Sequence, residues 1–226
     1  MDISIIIPVF NEKHIKQTIQ MIKNQNTSYN YEIIVVDGNN SSTINLINDS
    51  SVIKINSKKG RAVQMNEGAK YATSPILFFL HADNKIKYNT LDLICNEKAK
   101  VGAFKLYIDS DKFYFRIIEK VVNLRSKITK IPYGDQGIFI NKEIFNSIGR
   151  FSDLDIMEDV DLMDKVKKTG LHVKILNQSI ITSPRRWQQE GVIYTTLRNW
   201  TIYTLYRLGV DSKKLVKFYK TTSLML

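Results

Sequence analysis

The stretch I-S-I-I-I-P-V at residues 3–9, which runs into the loop residues F-N-E at 10–12, decides the fold. Its apolar, β-branched composition predicts a buried strand, and it has neither the basic start nor the length of a signal peptide. Comparable runs at residues 31–36, 52–55 and 76–81 alternate with amphipathic stretches. This alternation is typical of βαβ units, so we predict an α/β fold with a mostly parallel sheet.

Helices are predicted between these runs. One is expected at 12–25 with Asn11 as its N-cap, and another starts near Arg61. From residue 101 a strand at 101–108 is followed by a long helix at 112–129, with Phe115, Ile118, Val122 and Leu124 on or near one face. The later elements are a strand at 137–140, a short helix ending at Gly149, a helix ending at Gly170, a strand at 172–176 and a helix at 190–208.

The composition is that of an ordinary globular protein. Hydrophobic residues make up 43% and charged residues 24% of the 226 positions, so one compact domain over residues 1–226 is expected. No run of about 18 apolar residues occurs, so we expect no membrane-spanning helix. The single cysteine, Cys95, fits a reducing compartment, and a cytoplasmic location is predicted.

The net charge of +11 favours a polyanionic partner such as a nucleotide diphosphate or an anionic membrane. Between Arg185 and Lys220 there are eight Lys or Arg and two acids, which gives +6 in this segment. Two interpretations stay open for it: peripheral attachment of basic, aromatic helices to the inner membrane face, or core helices with a solvated basic face.

Polar residues follow three predicted strands. They are Pro8–Glu12 after the first, Asp37–Gly38 after the second, and His81–Asp83 after the strand that begins at 76. Ligands of open parallel sheets bind beyond these carboxyl ends, where a carboxylate can accept from a nucleobase or ribose and another can hold a divalent ion on two phosphates. Each residue alone could be an ordinary turn residue, but their coincidence favours a nucleotide site.

Six carboxylates lie within residues 153–164 of this otherwise basic chain. Negative side chains are favoured at a helix start by the helix dipole, which is a purely structural interpretation. Glu158 and Asp159 nevertheless stand where a helix is predicted to begin, and a fixed carboxylate is what deprotonates an attacking hydroxyl. We therefore take this pair as the candidate catalytic base.

Two basic elements complete the candidate site. Arg61 opens a helix in G-R-A-V-Q-M-N-E-G, where its guanidinium and the free N–H groups could meet phosphate, and an ordinary solvated arginine is equally compatible. Arg185, Arg186 and Trp187 offer donors beside a planar ring, which suits phosphate binding or sugar stacking. The chain has no P-loop, dinucleotide, serine-hydrolase or H-E-x-x-H motif, so those classes lose support.

The motifs together resemble the family 2 glycosyltransferases of GT-A fold over nearly the whole chain. S-I-I-I-P-V-F-N-E is similar to the family's opening strand, I-I-V-V-D-G to its nucleotide-binding strand, F-L-H-A-D to its metal-site strand and M-E-D-V-D-L to its catalytic segment. More narrowly, G-R-A-V-Q-M-N-E-G-A, P-Y-G-D-Q-G and R-R-W-Q-Q-E-G-V resemble the bacterial rSAM/selenodomain-associated transferase 2 group.

The resemblance implies a Rossmann-like, mixed but mostly parallel sheet flanked by helices. Residues 1–100 would form a nucleotide-binding half, 101–185 an acceptor and catalytic half, and 186–226 C-terminal helices. It also implies transfer of a sugar from a UDP- or GDP-linked donor to an acceptor hydroxyl with inversion. The implied catalytic residues are Asp159 and Glu158, and the acceptor side comprises Gly134, Asp135 and Gln136. The implied donor set is Pro8, Phe10, Asn11, Glu12, Asp37, Gly38, Arg61, Asn66, His81, Ala82, Asp83, Arg186 and Trp187.

Two departures from the family pattern affect these expectations. His81 replaces the first Asp of the usual D-x-D, so Mg²⁺ or Mn²⁺ would be held by Asp83 and an imidazole, which suits Mg²⁺ poorly. The residues after Asp37, G-N-N-S-S-T, also lack a second acid. The alternatives are a nucleotidyltransferase, which usually has a Gly-rich basic loop after its first strand, and a non-catalytic basic protein that binds membrane or nucleic acid. Nucleic acid is not expected as a partner.

Overall fold

The structure is a computed structural model that describes residues 1–220, so the last six positions of the predicted C-terminal helical region, 221–226, lie outside the described residues. Its centre is one seven-stranded sheet. The strands are β1 (Ile3–Val9), β2 (Tyr31–Asp37), β3 (Val52–Asn56), β4 (Ile76–Phe79), β5 (Val101–Ile108), β6 (Ile138–Asn141) and β7 (Val173–Thr182).

The sheet has the order β3-β2-β1-β4-β6-β5-β7. Its first four strands are mutually parallel, β5 and β7 pair in parallel, and β6 runs antiparallel to both of its neighbours. The predicted mixed, mostly parallel sheet is therefore confirmed. Because β1, β2 and β4 are parallel, their carboxyl ends meet at one edge, where their loops can share a ligand.

Helices cover both faces of this sheet and extend beyond β7. They are α1 (Ile15–Lys23), α2 (Arg61–Tyr71), α3 (Thr90–Cys95), α4 (Phe113–Thr129), α5 (Lys142–Ser147), α6 (Glu158–Lys168), α7 (Arg185–Glu190), α8 (Val192–Arg207) and α9 (Ser212–Lys220). Helical spacing explains the packing of α1, since Ile15, Ile19 and Ile22 all lie on its buried side against the sheet.

Several predicted details need correction. Asn11 does not cap α1, which starts four residues later, because its backbone is left-handed (φ 54°) and its side chain accepts from Asn39. Leu124 is not on the inner face of α4 but 58% exposed. Strand β4 ends at Phe79 rather than at 81, and β7 extends to Thr182 because it pairs with β5 along its length.

The basic C-terminal segment is partly neutralised inside the fold. Arg198 is buried and pairs with Glu190 at 2.7 Å, and Arg207 pairs with Asp164 of α6. Gly191 separates α7 from α8, so the predicted helix at 190–208 is in fact the second of two. Among residues 1–220, no helix combines the length and the apolar character that crossing a bilayer requires.

Candidate active site

A cavity of about 340 Å³ opens beyond the carboxyl end of β4. Its wall is built from segments far apart in the chain: the start of α2, the loop after β4, the loop before β6, the start of α6, and helices α7 to α9. The sequence-predicted residues that line it are Arg61, His81, Asp83, Gly134, Asp135, Asp159, Arg186 and Trp187. Both signs of charge therefore converge on one concave surface.

An ion pair between a partly exposed guanidinium and a buried carboxylate joins two of the predicted motifs. Arg61 Nε lies 2.8 Å from Glu158 Oε1, and the Glu158 side chain is only 3% exposed. Attraction by Glu158 is the main cause that raises the pKa of Arg61, while burial is the main cause that raises the pKa of Glu158. Because Glu158 is held by this pair, it is less available as a base than Asp159.

Asp159 is held at the cavity wall by the backbone. Gly134 N–H donates to its Oδ2 at 2.6 Å, and Val160 N–H donates to its Oδ1 at 2.8 Å. The preceding residue, Met157, has φ 66°, a left-handed conformation that is uncommon for a residue with a Cβ. A side chain at position 134 would bring its Cβ to 2.9 Å from His81 Nε2, so glycine allows this close approach.

His81 is neutral near physiological pH. Burial first, and then the charge of Arg61, lowers the pKa of His81 to about 4, although Asp83 and Asp159 act in the opposite direction. A neutral imidazole is the form that can bind a metal ion or accept a hydrogen bond.

Asp135 carries a perturbed carboxyl group in the cavity. Burial first, and then the charge of Asp159, raises the pKa of Asp135 to about 6. Its Oδ1 is buried and has no hydrogen-bond partner within residues 1–220, while its backbone carbonyl accepts from Asn84 Nδ2 at 3.0 Å. Perturbed carboxyl groups with unused oxygens are typical of sites that act on a ligand.

The opposite wall is basic and aromatic. Burial, reinforced by the like charge of Arg61, lowers the pKa of Arg186. The Arg186 guanidinium stacks on Tyr219 at 4.6 Å, and both residues line the cavity. Trp187 Nε1 is buried and finds no acceptor in the part of the chain that the structure describes. This wall can therefore offer a cation, an N–H donor and ring faces to a ligand.

The residues present fit a divalent ion held jointly with a bound diphosphate. Within residues 1–220, no cluster of three His, Cys, Asp or Glu side chains could hold a metal by itself. Asp83 and His81 both line the cavity, and Mg²⁺-type ions are commonly held by one or two carboxylates together with substrate phosphates. The unpartnered Oδ1 of Asp135 supplies a further oxygen on this wall.

The ends of β1 and β2 form a second region, and its predicted residues do not line the cavity. Asp37 is fully buried, and its oxygens accept the backbone N–H groups of Asn39 (2.8 Å), Thr43 (2.6 Å) and Ile44 (3.1 Å). This geometry gives Asp37 the role of fixing its loop. A direct contact of Asp37 with a nucleobase stays a prediction.

Backbone hydrogen bonds also fix residues near Asp37. Gly38 N–H donates to the Val9 carbonyl at 3.0 Å, and Glu12 N–H donates to Thr43 Oγ1 at 3.0 Å. Phe10 is 43% exposed, with the Lys59 amine 4.1 Å above its ring. Phe10 therefore has a face accessible to a ligand. Pro8 is buried within β1.

Three further predicted residues are occupied by structural contacts. The Asn66 amide bridges the backbone N–H and carbonyl of Phe151. Gln136 is fully buried and bonds to Ser126, the Tyr133 N–H and the Phe104 carbonyl, so it sits in the core rather than on the cavity wall. The Ala82 carbonyl accepts from Thr18 Oγ1 at 2.8 Å. These contacts give the three residues a structural role, and direct contact with a ligand stays a prediction.

Sequence reasoning missed Tyr133 and Tyr219 as cavity residues. Tyr133 lies within the noted motif P-Y-G-D-Q-G, and Arg125 stacks 3.4 Å above its ring, so the motif itself was a usable signal. Tyr219 belongs to α9, and only the three-dimensional return of that helix brings it to the site. No local pattern in the sequence indicates this return.

Comparison with known proteins finds similarity to glycosyltransferases. Residues 4–152 match the model of the family described as "Glycosyl transferase family 2". Over 96% of its length the chain is 26% identical to the "Probable glycosyltransferase YdaM" of Bacillus subtilis (strain 168). The chain spans 58% of the length of that relative.

Two solved structures share the fold. S. aureus TarS 1–349, solved in complex with UDP-GlcNAc, has a TM-score of 0.61 and 18% identity over 81% of this chain and 58% of its own. The mannosyltransferase PcManGT from Pyrobaculum calidifontis, in complex with GDP-Man and Mn²⁺, has a TM-score of 0.58 and 18% identity over 80% of this chain and 56% of its own. At this identity the likeness concerns the fold.

Proposed function

Because this chain belongs to glycosyltransferase family 2, we propose that it transfers a sugar from a nucleotide-sugar donor to an acceptor hydroxyl. The single observation that carries the proposal is the cavity in which Asp83, Asp159 and Arg186 meet, although up to about half of the chain separates them in sequence. A ligand that needs a cation, a carboxylate base and an ion-binding carboxylate at once fits this arrangement.

We assign the donor diphosphate to the region between Arg186 and Asp83. The guanidinium can donate to phosphate oxygens in a fork, and Trp187 beside it offers a ring face and an N–H to the sugar. The nucleoside would extend toward the ends of β1 and β2, where Phe10 is accessible. A UDP- or GDP-linked donor is favoured because structures of this fold have been solved with UDP-GlcNAc and with GDP-Man.

Asp159 is the proposed base. The acceptor oxygen forms a bond to the anomeric carbon from the face opposite the diphosphate, and its proton moves to Asp159. The bond from that carbon to the diphosphate oxygen breaks, and the electron pair leaves with the diphosphate, so the configuration inverts. Asp135 would orient the acceptor from the neighbouring wall. Arg186 stabilises the negative charge that develops on the leaving group.

A divalent ion would be held by Asp83 and the neutral His81 together with the donor phosphates. When bound, Mg²⁺ or Mn²⁺ neutralises charge on the leaving diphosphate. The imidazole favours Mn²⁺ over Mg²⁺. Arg61 acts at a distance in this scheme, since its pairing with Glu158 fixes the start of α6 and therefore the position of Asp159.

Two finer assignments also belong to the proposal. The motifs G-R-A-V-Q-M-N-E-G-A, P-Y-G-D-Q-G and R-R-W-Q-Q-E-G-V support placement in the rSAM/selenodomain-associated transferase 2 group. The lone Cys95 supports a cytoplasmic location, since it has no partner cysteine in the sequence.

Calorimetric titration of the full chain with UDP and GDP, with and without Mn²⁺, tests the proposal. We expect saturable binding of at least one nucleotide and stronger binding when Mn²⁺ is present. The same nucleotide should raise the melting temperature, because it binds only the folded state. If neither nucleotide binds while RNA or liposomes bind tightly, a non-catalytic basic binding protein is the better description.

A further inference from the structure

Helix α4 carries an apolar stripe on its outer side. The stripe consists of Phe113 (74% exposed), Ile117 (55%), Val121 (40%), Leu124 (58%) and Ile128 (70%). Spacings of three and four residues put all five on one face along the whole helix, which we call the α4 stripe. The opposite face, with Phe115 fully buried, packs on the end of β5. Apolar surface of this extent usually has a partner.

Basic side chains accompany the stripe. Lys120 and Lys127 are exposed on α4, and helical spacing puts them along one border of the stripe. Beside Leu124 lies a depression of about 830 Å³ whose lining includes five lysines and, as its single carboxylate, Glu97. These lysines, which define the lysine depression, are Lys105, Lys120, Lys127, Lys130 and Lys174.

From this combination we propose that α4 is an interfacial helix that docks the protein on an anionic lipid bilayer. The α4 stripe would enter the boundary of headgroups and acyl chains, and the lysine depression would receive the negatively charged headgroups. Apolar residues on one side of a helix with lysines along its border are typical of helices that lie in a membrane surface. Each lysine near an anionic surface adds electrostatic attraction to the bilayer.

Charge complementarity favours lipid over a second copy of this chain. A symmetric dimer formed through the α4 stripe would bring Lys120 and Lys127 of both copies to the same interface, where their charges repel. An anionic bilayer neutralises them instead. Helix α8 carries a second exposed apolar row, Ile193, Leu197 and Trp200, but the helix itself contains no lysine, and Arg207 near its end is paired with Asp164.

The same helix also forms the back of the cavity wall. Phe115 on its inner face packs against Trp187 with ring centroids 6.0 Å apart, and Arg125 stacks on Tyr133. A bilayer on the outer face of α4 would therefore lie one helix away from the site at which the acceptor is proposed to bind.

Co-sedimentation with vesicles of phosphatidylglycerol and phosphatidylcholine, and with phosphatidylcholine alone, tests the inference. We expect binding only to the anionic vesicles, and weaker binding as salt rises. Lys120→Glu with Lys127→Glu should weaken the binding at least about tenfold. The matched control is Lys54→Glu with Lys58→Glu, two exposed lysines at the β3 edge of the sheet, opposite to β7. Equal binding by the two charge-reversed proteins would overturn the proposal.

A second pair of variants tests the stripe itself. Ile117→Asn with Leu124→Asn should release the protein from vesicles, whereas Ile193→Asn with Leu197→Asn on α8 should not. All four side chains are more than half exposed, so folding is expected to be retained, and circular dichroism checks it. A dimer in solution that the α4 variant dissociates, with no binding to vesicles, would show that a second copy covers the stripe. Equal loss in both variants would also contradict the assignment to α4.

Discussion

Two regions at the same edge of the sheet differ in whether their buried polar groups have hydrogen-bond partners. At the ends of β1 and β2, Asp37 and its loop satisfy one another through backbone hydrogen bonds. In the cavity wall, Asp135 Oδ1 and Trp187 Nε1 are buried and have no hydrogen-bond partner within residues 1–220. Unsatisfied buried groups destabilise a fold, so these two atoms of the cavity wall are available to a ligand that completes them.

The same contrast is seen in the carboxyl groups. Burial by itself raises the pKa of Glu32, but hydrogen bonds from Ser4 and Thr73 outweigh it, so the pKa of Glu32 in the scaffold is lowered. Burial and the nearby charge of Asp159 raise the pKa of Asp135 in the cavity. The charged form is therefore favoured for Glu32 and disfavoured for Asp135, and a carboxyl group whose charged form is disfavoured in a cleft is common where a site is shaped for function.

The largest effect is expected from Asp159→Asn, which removes the proposed base but keeps the side-chain shape. Turnover, measured as nucleoside diphosphate release from the bound donor, should fall roughly 10²–10⁴-fold. Affinity for the nucleotide should stay close to that of the parent protein. Asp155→Asn, an exposed acid in the same segment, is the control. Unchanged turnover in the Asp159 variant would remove the proposed base.

The next largest effect is expected on stability, when the ion pair between Arg61 and Glu158 is broken. Arg61→Ala leaves the Glu158 carboxylate buried and unpaired, and we expect the free energy of unfolding to fall by about 3 kcal/mol, the lower end for such pairs because the Arg61 side chain is 43% exposed. Adding Glu158→Gln should recover part of the loss, as a double-mutant cycle in urea would show. Additive losses would mean that the two residues do not interact.

Asp37→Ala tests whether the strand-end region, at the ends of β1 and β2, has a structural role. Three backbone N–H groups lose their acceptor, so the free energy of unfolding should fall by about 2 kcal/mol. Turnover per folded molecule should change much less than in the Asp159 variant. Thermal unfolding with and without nucleotide separates the two roles. A large loss of nucleotide affinity at unchanged stability would instead favour direct contact with the nucleobase.

The smallest effects concern pH, and their signs are opposite in the two regions. The pKa of Glu32 is lower in the folded state, so its contribution to stability is present above about pH 4.5, its unfolded value, and is lost as pH falls. Asp135 has a folded pKa of about 6 against 3.8 unfolded, so its contribution is present at acid pH and is lost as pH rises through 6.

Urea unfolding without nucleotide or metal measures the contributions of Glu32 and Asp135 to stability. At pH 8, Asp135→Asn should be more stable than the parent protein and Glu32→Gln less stable, by about 1 kcal/mol each. Both differences should shrink near pH 4. Differences of the same sign at pH 8 would contradict the contrast between the two regions.

The fold was largely predictable because its signals are local. Apolar runs such as Ile3–Val9 and the helical spacing of Ile15, Ile19 and Ile22 report burial directly. The errors occurred where tertiary contacts decide. Asn11 looks like a helix cap, but a hydrogen bond from Asn39 holds it in the loop. Leu124 is predicted on or near the face of α4 that carries Phe115, but it belongs to an exposed stripe.

The sequence indicated Asp83 and Asp159 as candidate site residues from their positions after a strand and at a helix start, and both line the cavity, while their roles stay predictions. Sequence could not show that Asp37 and Gln136 are occupied by backbone contacts, because those partners are set by loop geometry. It also could not place Tyr219, which reaches the cavity only through the packing of α9. The way in which distant segments of the chain come together around the cavity is therefore the part of the site that needs a structure.

The central claim is that the cavity, rather than the strand-end region alone, binds the donor diphosphate. A crystal structure of the full chain with the nucleotide that binds and Mn²⁺ tests this most directly. We predict the diphosphate within hydrogen-bond distance of Arg186 and the ion coordinated by Asp83. A nucleotide bound with its phosphates away from both residues would contradict the account.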